Sequence, residues 1–106
     1  MAVEFEWDED KRRTNIRDHG IDFGNVPLVF DGYTVTVEDT RIEYGETRCI
    51  TVGILKGRTI AVTHTERGEK IRLISARKAT QYEETTYFEE ITNQLGATRR
   101  AKRRRH

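Results

Sequence analysis

Residues 64–79 read HTERGEKIRLISARKA, placing His64, Glu66, Arg67, Lys70, Arg72, Arg77 and Lys78 around a single glycine, Gly68. Neighbouring cations repel unless they are exposed, paired with acids, or visited by an anion. Arginine suits the last case: its planar fork bonds phosphate oxygens in pairs, and it stays charged at accessible pH. Threonine hydroxyls such as Thr65 can add hydrogen bonds. With a base in reach, the same set suits RNA cleavage without a metal. A base removes the 2′-OH proton, the 2′-oxygen attacks phosphorus, the bond to the 5′-oxygen breaks and an acid protonates that oxygen. Cations meanwhile hold the charge on the phosphorane oxygens. His64 or Glu66 is the candidate base, and Arg48, Arg67, Arg72 and Arg77 are the candidate cations. Lys70, Lys78 and Thr65 are candidates for binding RNA. The bland alternative is a solvated sheet face with salt bridges to Glu66, Glu69, Glu83 and Glu84.

These side chains need strands to place them. RCITVGIL, TIAVTHT and KIRLISAR are rich in β-branched residues, and Lys56-Gly57 and Arg67-Gly68 punctuate them as two-residue hairpin turns. Counting outward from those turns sets Arg48 opposite Thr65, Thr63 opposite Arg72 and Ala61 opposite Ile74. Alternation then collects Arg48, Thr63, Thr65, Lys70 and Arg72 at one end of one face, with Ile50, Val52, Ile54 and Ile74 further along it. The other face takes Ile60, Val62, Ile71 and Leu73, with His64 near its edge.

The remaining elements frame this meander. VEFEWD predicts a short first strand. Asp8 caps a helix that Gly20 ends, with Ile16 its clearest apolar residue. IDFGNVPLVFDG predicts a second short helix, with Asp22 as its cap and Val26, Val29 and Phe30 as its stripe. YTVTVED alternates, with Tyr33, Val35 and Val37 on one face. A last helix starts after Lys78, carries Ala79, Tyr82, Thr86 and Ile91, and is expected to close at Gly96. The fold class is therefore α+β: an antiparallel β-meander sheet with two N-terminal helices and a C-terminal helix.

Composition sets the boundaries. The 106 residues suffice for one domain, taken as residues 1–95, followed by a basic, flexible tail over 96–106. The last eight residues, RRAKRRRH, hold six of the 19 Lys and Arg, leaving residues 1–98 with a net charge of −5. Cys49 is the single cysteine, which excludes an intrachain disulfide and fits a reducing compartment. No signal peptide and no bilayer-spanning stretch is read, so a cytoplasmic location without membrane contact is expected. His19, His64 and His106 are scattered and the glycines sit singly at turns, so neither a metal nor a cofactor is expected.

FEWDEDKRRTNIRDHGIDFGNVPLVFDG, THTERGEKIRLISARKA and EETTY together closely resemble the BrnT family, toxins of type II toxin–antitoxin systems, over about residues 4–90. The order of pieces carries the likeness: F-x-W-D, N-x-x-x-H-G, V-F-D, T-E-R-G and I-R-x-I-S-A-R-x-A. The resemblance implies a RelE-like fold and an endoribonuclease that cuts RNA and inhibits translation. It also implies a cognate BrnA-like antitoxin with a ribbon-helix-helix part, the toxin–antitoxin complex binding operator DNA. By motif it carries over Arg48, Glu66, Arg67, Arg72 and Arg77, with Lys78 beside them. His64 comes from the chemistry of the residues alone. The alternative function is a non-catalytic module that binds nucleic acid or a partner protein.

Overall fold

The computed structural model describes residues 3–40 and 45–103, with side chains described up to residue 94. Strand β1 (Glu4–Glu6) leads into helix α1 (Glu9–His19); a 3₁₀ turn (Phe23–Asn25) and a one-turn helix α2 (Pro27–Phe30) follow. Strands β2 (Val35–Asp39), β3 (Arg48–Leu55), β4 (Arg58–Arg67) and β5 (Lys70–Lys78) precede helix α3 (Gln81–Arg103). The sheet order is β1-β5-β4-β3-β2. The α+β class holds, but the sheet is mixed rather than a pure antiparallel meander: β1 lies parallel to β5, pairing Glu4 with Lys70 and Glu6 with Arg72.

The expected caps are present. The Asp8 carboxylate accepts hydrogen bonds from the amides of Asp10 and Lys11, and Gly20 ends α1 with φ at 71°. Asp22 caps the 3₁₀ turn by accepting from the Gly24 amide. The second expected helix is thus a 3₁₀ turn and a single α turn, with Pro27 in the first turn where no amide is needed. Helix α3 opens on a reciprocal box in which Thr80 Oγ1 accepts from the Glu83 amide and the Glu83 carboxylate accepts from the Thr80 amide. It runs through Gly96 to Arg103, so that glycine does not close it. The side chains of the basic tail lie outside the described residues.

Two cores sandwich the sheet. On one face Phe23, Val26 and Val29 pack against Leu55, Ile60, Val62, Leu73 and Ala76, with Phe5, Trp7 and Phe30 at the margin. On the other, Tyr87 and Ile91 of α3, with Ala79 just before it, cover Ile50, Val52 and Ala61. The β3 backbone can approach α2 closely only because residue 53 is glycine: a Cβ there would sit 2.6 Å from Val29 Cγ1. Of the apolar residues expected to anchor α1 at its edges, Phe5 and Trp7 pack against this core, whereas Ile16 is 38% exposed and the helix is held instead by the buried Asn15. Its Nδ2 donates to Ile21 O and Ala76 O, and its Oδ1 accepts from the Ala76 amide. Asn15 thereby stands in for a neighbouring strand along the β5 edge beyond the end of β1.

Both hairpins have two-residue loops, though one is displaced. Leu55 pairs with Arg58 across Lys56-Gly57, and both loop residues have positive φ. Arg67 pairs with Lys70, so the second loop is Gly68-Glu69 rather than Arg67-Gly68. Arg72 consequently faces Thr65, not Thr63. A two-position slide keeps every side chain on its expected face, but a bulge at Thr63/His64 then shifts the register, so Thr63 pairs with Ser75 and Ala61 with Arg77. Beyond the bulge, Ala76 drops into the aromatic core and Arg77 turns to the α3 face.

Candidate functional site

At the open end of the α3 face, the structure brings together Arg48, Thr65, Arg67, Lys70 and Arg72. Arg48 faces Thr65, and Thr65 faces Arg72, on three adjacent strands. These cations are interleaved with acids. Arg72 donates to Glu6 at 2.8 Å, and Lys70 lies 3.8 Å from Glu4. Glu46 bridges two arginines, at 3.6 Å from each of Arg48 and Arg67. The partners thus come from β1 and from the loop before β3, not from Glu66 or Glu69. Sequence reasoning missed Glu4, Glu6 and Glu46. The first two became findable only once β1 was placed beside β5.

Thr65 plays a different part from the one expected. It is 3% exposed, and its hydroxyl donates to Thr47 O at 2.8 Å. It fastens the loop that carries Glu46 against the arginines rather than offering a free hydroxyl.

His64 and Glu66 point to the opposite face. His64 is 3% exposed, its Nε2 shares a 2.7 Å hydrogen bond with Thr51 Oγ1, and Phe30 meets its ring edge-on at 5.5 Å. Thr51 Oγ1 in turn shares a 2.7 Å bond with Thr36 Oγ1, making a polar chain across three strands. Among the described residues His64 Nδ1 has no hydrogen-bond partner. Burial lowers the His64 pKa from its ordinary value, with Glu66 acting weakly the other way. The geometry therefore describes a neutral, structural imidazole separated from the arginines by the sheet. Cys49 pairs with His64 in register, yet the imidazole bonds Thr51 instead. Burial, then the charges of Glu66 and Glu38, push the Cys49 thiol up, away from a nucleophilic thiolate.

Arg77 and Lys78 lie at the other end of β5, five and six positions beyond Arg72, or roughly 16–20 Å at strand spacing. Arg77 grips Glu83 with two bonds, 2.7 and 3.0 Å, tying the end of β5 to α3. Those bonds, chiefly, hold the Glu83 carboxyl below its usual range, against the opposing effect of burial. Among the described residues no group of three or more His, Cys, Asp or Glu is placed to hold a metal. No helix there is long and apolar enough to cross a membrane.

A small α+β domain with one core sealed under aromatics and an arginine-rich sheet end on the other face suits a protein that handles a polyanion. Residues 7–83 match the family described as the ribonuclease toxin BrnT of type II toxin–antitoxin systems, and the chain belongs to that family. The family is one of ribonuclease toxins, and a type II system pairs each with an antitoxin partner. No curated protein matches the chain.

Proposed function

We propose that this chain is an endoribonuclease toxin that cuts RNA without a metal and thereby inhibits translation, within a RelE-like fold. The observation that carries the reading is the convergence of Arg48, Arg67, Lys70 and Arg72 on one sheet end, from three strands. Arg48 and Arg72 are partly buried, at 25% and 28% side-chain exposure, so their charges act in a medium less screened than bulk water. An RNA phosphate entering there exchanges the carboxylates of Glu6 and Glu46 for its own oxygens. Arg72 and Arg48 then hold the charge that grows on the phosphorane, and Lys70 and Arg67 steer the flanking phosphates. Glu46, lying between two of these arginines, replaces His64 and Glu66 as the carboxylate suited to take the 2′-OH proton. Arg77 acts through Glu83 as a positioning residue. The partner is a BrnA-like, ribbon-helix-helix antitoxin, and the pair binds operator DNA.

The test is incubation of purified protein with RNA in excess EDTA. Internal cuts that leave 2′,3′-cyclic phosphate ends are expected. Cleavage that appears only when Mg²⁺ replaces EDTA would overturn metal independence, and retained RNA binding without cleavage under either condition would instead establish a non-catalytic nucleic-acid-binding module.

A further inference from the structure

A second feature stands apart from the arginine end. The tip of the β3–β4 hairpin and the early turns of α3 enclose a cavity of about 570 Å³, lined by Ile54, Arg58, Thr59, Lys78, Glu84 and Phe88 among others. Its size falls within the range of roughly 300–1,000 Å³ that seats a bulky side chain or ligand. Two of its lining residues are large apolar groups left in water: Ile54 is 37% exposed and Phe88 48%. Apolar side chains gathered around a concavity mark a place where another molecule sits.

The charges say what kind. Arg48, Arg67, Lys70, Arg72 and Arg77 each lie within 4 Å of a carboxylate. Arg58 and Lys78 make no ion pair among the described residues, although both line this cavity. Glu84 also lines it, so a uniform polyanion meets repulsion as well as attraction there. The chain's last eight residues, RRAKRRRH, carry no acid and so offer Arg58 and Lys78 no counter-charge. An occupant that satisfies the site carries an apolar anchor for Ile54 and Phe88 and an acidic group beside it, which is the pattern of an amphipathic protein segment.

We infer that this cavity is the anchor point for an acidic, amphipathic segment of the antitoxin; the inference rests on the partner that family membership implies. Ile54 lies six positions along β3 from Arg48, roughly 20 Å at strand spacing, and α3 packs on the sheet between the two ends. The grip on the partner is therefore built from different residues than the phosphate site, and substitutions separate the two.

The experiment is calorimetric titration of the full chain with a full-length BrnA-like, ribbon-helix-helix protein as its candidate antitoxin, repeated for Arg58→Glu and Phe88→Ala. Arg58 is an exposed surface residue, so its charge reversal tests the site without disturbing the core. Each substitution is expected to weaken binding by about tenfold or more, as for an anchor residue, while RNA cleavage by the free toxin stays unchanged. Affinity within about twofold of the unmodified chain for both variants would overturn the inference. It is equally overturned if sedimentation shows that Arg58→Glu splits a dimer of the free chain, since the occupant is then a second copy. Loss of oligoribonucleotide binding with antitoxin affinity intact overturns it in favour of RNA. A chain that cuts RNA but does not bind this antitoxin fails both the inference and the partner reading. A chain that binds without cutting fails only the nuclease reading.

Discussion

On one face of the sheet Phe23, Val26 and Val29 are sealed against Ile60, Val62 and Leu73, and even the polar His64 is almost fully buried. At the open end of the other face, Arg67 and Lys70 keep more than half of their side-chain surface in water. The same two strands, β4 and β5, supply both. Alternation along a strand separates the tasks at this end of the sheet: one parity enters the aromatic core, while Arg67, Lys70 and Arg72 of the other parity lie beyond the part of their face that α3 covers. Alternation already sets His64 on the face away from Arg48, Thr65 and Arg72, and the structure keeps it there, together with Glu66; nearness along the string is what makes the two look like partners of the arginines. The sheet separates them by its own thickness.

The largest expected effect tests the sealed face. Asn15→Ala leaves the amide and carbonyl of Ala76 and the carbonyl of Ile21 without their partner, at a cost of about 3 kcal/mol. Denaturant unfolding measures it, and the residual folded protein should cut RNA at the normal rate. A fully stable variant would show that the β5 edge finds another partner. Arg72→Ala tests the open face in the opposite sense. Cleavage should fall by about 100-fold, with stability changed by less than about 1 kcal/mol, the value of an accessible ion pair. Single-turnover kinetics beside a melting curve reads both. A large loss of stability with intact turnover would reverse the roles assigned to the two faces.

The smallest effect is a pH dependence. Burial favours neutral His64, so its pKa is lower in the folded chain than the ordinary 6.5. Below pH 6.5 the unfolded chain binds the proton first, and stability declines until pH reaches the folded value. The slope cannot exceed about 1.4 kcal/mol per pH unit from this single group. His64→Gln should flatten that part of the stability profile measured by urea titration, and leave the pH profile of RNA cleavage in place. A matching change in the cleavage profile would return His64 to the reaction.

Much of this was legible in the chain. Asp8 and Gly20 bracket α1, and Lys56-Gly57 makes the β3–β4 turn, because caps and tight turns are local chemistry. Counting from the Lys56-Gly57 turn sets Arg48 opposite Thr65, where the structure has it, since that register depends only on one short loop. What failed is non-local or weakly encoded. Nothing near Glu4 or Glu6 announces a parallel pairing with β5. The bulge at Thr63/His64 contains neither glycine nor proline, so counting from the turn sets Ala61 opposite Ile74, whereas it pairs with Arg77. Within α1, apolar content pointed to Ile16, whereas the helix's own anchor is the polar Asn15, whose value appears only when a bare strand edge lies opposite. Glycine costs an α-helix about 1 kcal/mol and need not end it, which is why α3 continues past Gly96.

The pairing of β1 with β5 also orders events in time. The Arg72–Glu6 contact joins residues 66 positions apart. During synthesis the first strand waits with its edge uncovered until the last strand has left the ribosome, and the arginine end stays incomplete throughout. A nascent or prematurely terminated chain that stops before Lys70 has Arg48 and Arg67 but neither Lys70 nor Arg72. The topology therefore ties completion of the arginine end to arrival of the last strand: Lys70 and Arg72 join Arg48 and Arg67 only when the chain is nearly whole.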